Sequence, residues 1–453
     1  MQMKVDVLVA EIGSTTTVVN AFTLGENPAL VGQGMSPTTV NEGDVTLGLR
    51  AAVEDLARNL GVSPQSLEWS EMMASSSAAG GLSMSVHGLV YDMTVRAAKE
   101  AALGAGAVVK LVTAGEMTED DAEELRKVRP KVILLAGGVD YGEKATAIHN
   151  ARVIADLGLD APVIYAGNIA ARKEVGKILG ERGIKTYFVD NVYPRVDELV
   201  VEPARKVIQE VFEEHIVKAP GMDRIRDMVG GPIMPTPGAV MESCKMLYPF
   251  LGDLCALDVG GATTDVHSVA KGSPEIQAIL ESPEPLAKRT VEGDLGIHVN
   301  ARNVAEMVKD RIAKDLGFDP EPVLEDLQVI PKDEKHQKLV AYLAKVACEI
   351  AFSRHAGRIK YLYGPQGRIT VAVGKDLSSV RTIIGTGGPL TRLPGGKETL
   401  EGLVGQGPGR ELYPKDARVI LDSQYIMASC GVLSRKYPDR AFSILISSLG
   451  LVA

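Results

Sequence analysis

The chain is poor in aromatic residues and in net positive charge. Of its 453 residues only 4% are aromatic, a single one is Trp (Trp69), and the formal net charge is −9. Nucleic-acid binding normally needs a basic surface or stacking aromatics, so no nucleic-acid partner is expected. The four cysteines, Cys244, Cys255, Cys348 and Cys430, stand far apart with no C-x-x-C pair. That spacing argues against a disulfide framework and a four-cysteine metal site, and leaves buried thiols. No stretch approaches 18 apolar residues, and the opening MQMKVDVLVAE lacks the ordered regions and cleavage motif of a signal peptide. The expectation is a cytoplasmic protein with no membrane partner. The histidines show no H-x-H or H-E-x-x-H spacing, which argues against a transition-metal site.

Hydrophobic content of 45% and charged content of 24% are ordinary globular values. The length calls for two or three domains. Forty-seven glycines make about a tenth of the chain, against roughly 7% in average usage, so many turns require a positive φ or a close backbone approach to a ligand. Residues 44–60 place Val45, Leu49, Val53, Leu56 and Leu60 at helical spacing and stop at Gly61. Further helices are expected at 118–128, 143–157, 170–180, 300–315 and 336–356. KVILLAGG (131–138) and APVIYAGN (161–168) are short apolar runs ending in Gly or Gly-Asn on either side of a helical stretch, the pattern of a parallel sheet. The region 219–238, with four prolines and four glycines, reads as a connection or functional loop.

EIGSTTTVVNAF (11–22) leaves an apolar strand through a Gly, passes four hydroxyl residues and returns to an apolar run. A hairpin explains it, and a turn lined with hydroxyls and free N–H groups suits a phosphate. VLVAEIGSTTTVVNAF (7–22) has a counterpart in CALDVGGATTDVHSVA (255–270), and VILLAGGVDYG (132–142) in RTIIGTGGPLT (381–391). From Glu11 to Gly137 is 126 positions and from Asp258 to Gly388 is 130. A pattern repeated at nearly repeated spacing points to two similar α/β lobes. The expected division is a first lobe over 1–200, a connecting region over 201–250 and a second lobe over 251–453. The segment 422–434 is expected as a helix crossing back to the first lobe.

Two such hairpins would present two sets of N–H groups to a polyphosphate, with one acidic residue of each placed where Mg²⁺ bridges the phosphates. The sequence resembles the superfamily of actin, the heat-shock chaperone ATPases and the sugar kinases, whose fold is a pair of α/β lobes of ribonuclease H type around a nucleotide cleft. EIGSTTT is similar to the first phosphate motif, LDVGGATTD to the second and IIGTGGP (383–389) to the adenosine motif. The resemblance implies ATP and Mg²⁺ as cofactors, with Glu11 and Asp258 as the catalytic and metal-positioning carboxylates. It implies nucleotide contacts at Gly13, Ser14, Thr15 and Thr16, at Gly260, Gly261, Thr263 and Thr264, and at Gly385, Thr386, Gly387 and Gly388. Glu11 departs from the usual Asp, and its extra methylene moves the carboxylate by about 1.5 Å.

SSSAAGGLSMSVHGLVYDMTVRAAKEAALGAGA (75–107), AGGVDYGEKATAIHNA (136–151) and PTPGAV (235–240) resemble the accessory proteins of adenosylcobalamin-dependent glutamate mutase, the GlmL or MutL type. This family is unrelated to the mismatch-repair protein of the same name. The resemblance implies a slow ATPase acting as a reactivating chaperone, with an amino-acid mutase as partner; the Glu11 departure suggests a relative serving ornithine aminomutase. A homo-oligomer stays open on the sequence.

Blander and rival readings stand beside these. DVHSVAKG (265–272) comes near the cobalamin-binding D-x-H-x-x-G, but Ala270 fills the Gly position, and His267 reads as an ordinary strand residue. GGVDYGEK (137–144) lacks the G-K-[ST] of a P-loop and reads as a βα turn, while 78–82 reads equally as a tight turn before a helix. Glu349 and His355 read as members of a solvated helix face. A small-molecule kinase on the same fold would need a general base such as Asp140 or Asp265. An activator of radical dehydratases would need close cysteines, and Cys255 has no companion. A filament of actin type is the third rival.

Overall fold

The computed structural model describes residues 3–78, 82–365, 367–405, 407 and 409–451. β1 (Met3–Ile12) is apolar almost throughout, with Val5, Val7, Leu8, Val9, Ala10 and Ile12 all buried, as befits a strand covered on both faces. It turns through Gly13–Thr15 into the antiparallel β2 (Thr16–Thr23), which pairs with β3 (Ala29–Pro37). The helix Val45–Asn59, capped by the Asp44 carboxylate on the Thr46 amide, follows and packs on β3. The backbones come so close that a Cβ on Gly34 would lie 2.2 Å from the Ala52 carbonyl oxygen. β4 (Leu67–Ser76) then runs parallel to β1.

The chain next builds a separate compact unit, Ala79–Ala219 with Pro283–Pro285; the other unit comprises Met1–Ala78, Pro220–Ser282 and Leu286–Ala453. This inserted unit holds β5 (Ser83–Gly88), β6 (Val108–Ala114), β7 (Val132–Leu135), β8 (Val163–Tyr165) and β9 (Thr186–Phe188), all parallel in the order β6-β5-β7-β8-β9. Helices Arg96–Gly104, Glu119–Val128, Ala145–Asp156 and Arg172–Glu181 alternate with the strands. The second of these opens on a Thr118/Asp121 capping box. Ile133, Leu135, Val163 and Tyr165 meet Ala151, Ile154 and Val175 in its core.

In the larger unit β10 (Ile233–Pro235) returns to pair with β4, completing the sheet order β10-β4-β1-β2-β3. A helix follows at once over Thr236–Leu251. β11 (Leu254–Val259), β12 (Thr264–Val269) and β13 (Ala287–Glu292) form an antiparallel meander. A helix over Glu334–His355 and an exposed ribbon of β14 (Arg358–Gly364) and β15 (Gly367–Val373) precede β16 (Thr382–Thr386), which is parallel to β11, and β17 (Arg418–Leu421). The second sheet therefore reads β13-β12-β11-β16-β17. The two sheets share one topology strand for strand, a meander of three extended by two parallel strands. This is the two-lobed actin-like ATPase fold. The helix after each lobe's last strand crosses to the other lobe: Thr236–Leu251 packs on β11 and β12, and Met427–Leu433 on β1 and β4. Val9, Met73, Ala256 and Ile384 thus share one core with both helices.

Several expectations need correction. The two lobes do not divide at 1–200, 201–250 and 251–453, because 79–219 folds around its own sheet and only then does the first lobe finish. The counterpart of β16 is accordingly β4 and not the 132–142 segment. Buried parallel strands look alike in composition, and a sequence carries no mark of which partner each will take. The 219–238 segment is more than a connection, since it ends in β10 and the start of a helix. The 300–315 helix is two, Ala301–Glu306 and Lys309–Leu316. The crossing helix begins at Met427 rather than 422. His355 is buried, bonded to Thr290 and Ser268, where a solvated face was expected. Ala79–Gly81, within the expected 78–82 turn, lie outside the described residues.

Candidate functional site

The β1–β2 turn is closed by the Gly13 amide donating to the Thr16 carbonyl at 2.9 Å. A Cβ on Gly13 would lie 2.8 Å from that oxygen, which is why the strand leaves through a glycine. The Thr38 hydroxyl donates to the Gly13 carbonyl, the Thr38 amide to the Thr15 carbonyl, and the Ser14 hydroxyl to the Ser77 carbonyl at 3.3 Å. The β11–β12 turn repeats the device, with the Gly260 amide on the Thr263 carbonyl at 2.9 Å. It is braced by a segment that the sequence reading did not single out. The Ile297 amide donates to the Gly260 carbonyl, and the His298 and Val299 amides both donate to the Gly261 carbonyl. Gly296 lies so close beneath that a Cβ there would fall 2.2 Å from Ala262 backbone atoms.

The two turns meet. A Cβ on Gly261 would lie 3.0 Å from the Thr15 hydroxyl oxygen, so only a residue without a side chain lets them approach this closely. Among the described residues the amides of Ser14, Thr15, Gly261 and Ala262 donate to no protein acceptor, leaving two sets of N–H groups at the meeting point. The third motif packs beside them. Gly387, at φ 91°, has room for no Cβ, since one would lie 2.3 Å from the Val259 carbonyl oxygen and 2.9 Å from the Asp258 carboxylate.

Carboxylates gather at the same strand ends. Glu11, 6% exposed, accepts a 2.5 Å hydrogen bond from the Tyr425 hydroxyl. Burial raises its pKa to about 7; the Tyr425 bond works against this rise and the nearby Asp422 charge adds to it. Asp258 is held well above the usual carboxylate range, first by desolvation and then by the charges of Asp265 and Glu11. Asp422 is raised by burial despite accepting from the Ile426 and Met427 amides and the Thr386 hydroxyl. Among the described residues only Asp265 of these carboxylates has a cation in contact, the buried Arg289 at 2.6 Å. The crowding of negative charge is what a divalent cation relieves, and the free amides suit the phosphates it would bridge. Among the described residues no group of three or more His, Cys, Asp or Glu is arranged to hold a metal ion. The residues present here, the Glu11 and Asp258 carboxylates beside free amides, are of the kind that would suit Mg²⁺, which keeps several waters and uses one or two carboxylates together with phosphate oxygens.

Not every residue of the three motifs faces this point. Thr264 is buried with its hydroxyl donating to the Leu295 carbonyl at 2.8 Å, and Thr386 is committed to Asp422. The Thr263 hydroxyl donates to Asp265. Gly385 lies within β16, where a Cβ would meet Leu400 and Leu421. Thr16 opens β2, and Gly388 opens a short helix, Gly388–Thr391, just beyond Gly387. Asp422 and Tyr425 escaped the sequence reading because 422–434 looks uniformly helical, whereas 422–426 is a tight turn with Tyr425 at φ 53°. His267 is fully buried on β12 with neither ring nitrogen hydrogen-bonded among the described residues, and burial pushes its pKa down to about 3. All four cysteines are free and buried. No helix among the described residues is long and apolar enough to cross a membrane.

Comparison with known proteins places these features in context. The family model described as "MutL protein" matches residues 7–449. "Protein MutL" of Clostridium tetanomorphum is 37% identical over 457 residues, covering 97% of this chain and 98% of its own. Among solved structures, a nucleotide-free acetone carboxylase is similar at 13% identity and a TM-score of 0.37, over 95% of this chain and 70% of that one. The ethanolamine utilization protein EutJ of Carboxydothermus hydrogenoformans is similar at 10% identity and a TM-score of 0.31, over 94% and 88%.

Proposed function

Since the chain belongs to the MutL protein family, we propose that it is an ATP-driven reactivating chaperone, a slow ATPase that releases damaged cobalamin from an adenosylcobalamin-dependent amino-acid mutase. The observation that carries the nucleotide half of this reading is the meeting of the two hairpin turns at Thr15 and Gly261, directly beside Glu11 and Asp258. The amides of Ser14, Thr15, Gly261 and Ala262 would receive the phosphate oxygens. Asp258 and Glu11 would hold Mg²⁺ through its waters, and the metal would supply charge neutralisation on the phosphates. Gly387 and Gly388 would let the adenosine approach the backbone.

The partner half rests on family membership and on the resemblance to glutamate mutase accessory proteins, with ornithine aminomutase as the leading client. Fast turnover would gain a chaperone nothing. Hydrolysis need only choose between two lobe closures whose affinities for the mutase differ by a few kcal/mol. The test is to load ornithine aminomutase, and separately glutamate mutase, with hydroxocobalamin, then add the protein, Mg·ATP and fresh adenosylcobalamin. Activity should return only with hydrolysable ATP and not with Asp258→Ala. Phosphorylation of a small hydroxylated metabolite with no recovery of either mutase would replace this reading with the kinase.

A further inference from the structure

In the inserted unit every large apolar side chain that is exposed stands at one edge. β5 to β9 are all parallel, so the loops leaving their C-terminal ends share that edge. Val90 and Tyr91 follow β5, Tyr141 follows β7, Ile169 follows β8, Phe188 ends β9, and Val196 comes just after it. Tyr141 is 83% exposed, Val196 65% and Tyr91 59%. Isolated exposed apolar residues are ordinary, but six on one edge and none elsewhere on the unit's described surface form a patch of the kind that marks interaction sites.

The loops carrying them are built rather than loose. The buried Asn168 accepts from the Tyr141 and Ala170 amides and donates to the Gly142 and Glu143 carbonyls. Asn191 donates to the Gly138 carbonyl and to Asp140, whose own amide donates to the Pro194 carbonyl. Tyr141 at φ 62° and Asp197 at φ 61° are two of the four non-glycine residues with positive φ among the described residues. Such strain persists only where surrounding structure over-determines it, and it concentrates at functional surfaces. The order β6-β5-β7-β8-β9 puts a topological switch point between β5 and β7, the place where sheets of this kind receive ligands. Here, however, asparagine hydrogen bonds tie the loops together and the tyrosines point outward. That favours a broad partner surface over a small molecule.

The charge on this edge identifies the partner's chemistry. Asp92, Glu116, Glu143, Asp190, Asp197 and Glu198 are exposed on these loops, against Lys144 and Arg195 alone. An acidic ring around exposed tyrosines complements an apolar patch ringed by Lys and Arg, with the tyrosines as anchors. We propose that this edge is where the chain grips its client mutase, by way of a basic, apolar-centred surface on that enzyme. The proposal rests on the reactivase reading for the client's identity.

The experiment measures binding of the full chain to hydroxocobalamin-loaded ornithine aminomutase and glutamate mutase by surface plasmon resonance. Two double variants are compared with wild type: Tyr91→Ser with Tyr141→Asn, the latter tolerating the left-handed backbone, and Asp190→Lys with Glu198→Lys. Each should weaken binding by about tenfold or more, and the charge reversal should also flatten the salt dependence. Melting temperature and basal ATPase activity should be unchanged, which separates this effect from misfolding. Binding of wild type and both variants with equal affinity overturns this proposal and leaves the reactivase reading standing. Absence of wild-type binding to either mutase overturns both, and self-association abolished by the same variants assigns the edge to a second copy and overturns the proposal.

Discussion

Glu11 carries a measurable consequence of its surroundings. Its carboxyl titrates near 4.5 when unfolded and is held at about 7 in the fold, chiefly by burial. Between those values the native chain keeps a proton that the unfolded chain has lost, so stability falls as pH rises from about 4.5 to 7, by roughly 3 kcal/mol in total. Glu11→Gln removes the titration while keeping an acceptor for the Tyr425 hydroxyl. The nucleotide-free variant should therefore melt higher than wild type at pH 8, with the difference closing toward pH 5; parallel melting curves across that range would contradict the account. Asp258→Ala should slow ATP hydrolysis by roughly 10²–10³ through lost charge stabilisation and leave the fold intact, with circular dichroism as the check. His267 should bind no corrinoid, because its ring is sealed in β12. The purified chain should be colourless, and a stoichiometric cobalamin spectrum would refute that. At this scale the sequence exposed Glu11 and Asp258 through the hairpin pattern. Asp422 and Tyr425 were not legible, because their importance comes from a turn that brings residues more than 400 positions apart into contact.

The crossing helices show how closely elements must fit for the lobes to share a core. Gly431 on Met427–Leu433 faces the backbone of Thr236–Leu251, where a Cβ would lie 1.8 Å from the Ala239 carbonyl oxygen. No side-chain movement relieves a clash with backbone, so Gly431→Ala should cost about 1–3 kcal/mol or more by forcing the helices apart. Chemical denaturation should show it as a lower midpoint with an unchanged slope; an unchanged midpoint would mean the helices do not cross as closely as described. Elements with strong local signals were legible, among them the Val45–Asn59 helix with its apolar stripe and the capped Glu119–Val128 helix. The break at 307–308 was not. A helical apolar period continues through it, and only tertiary packing decides where the chain turns.

The molecule as a whole combines a duplicated five-stranded α/β architecture with an inserted parallel-sheet unit. The duplication was legible because a strand, a glycine turn and a second strand recur with hydroxyls in the same places. The insertion was hidden because its β7 leads into Gly137-Gly138 much as β16 leads into Gly387-Gly388, and the nearly equal spacings made the wrong pair look symmetric. The account's central claim is that the two turns and the two carboxylates form one Mg·ATP site, and titration calorimetry of the full chain with ATP in the presence of Mg²⁺ tests it most directly. Wild type should bind one nucleotide per chain, and both Asp258→Ala and Gly261→Ala, whose added Cβ would press on the Thr15 side chain where the turns meet, should lose or greatly weaken that binding while remaining folded. Absence of heat from the wild-type chain, or unaltered binding in both variants, would contradict it.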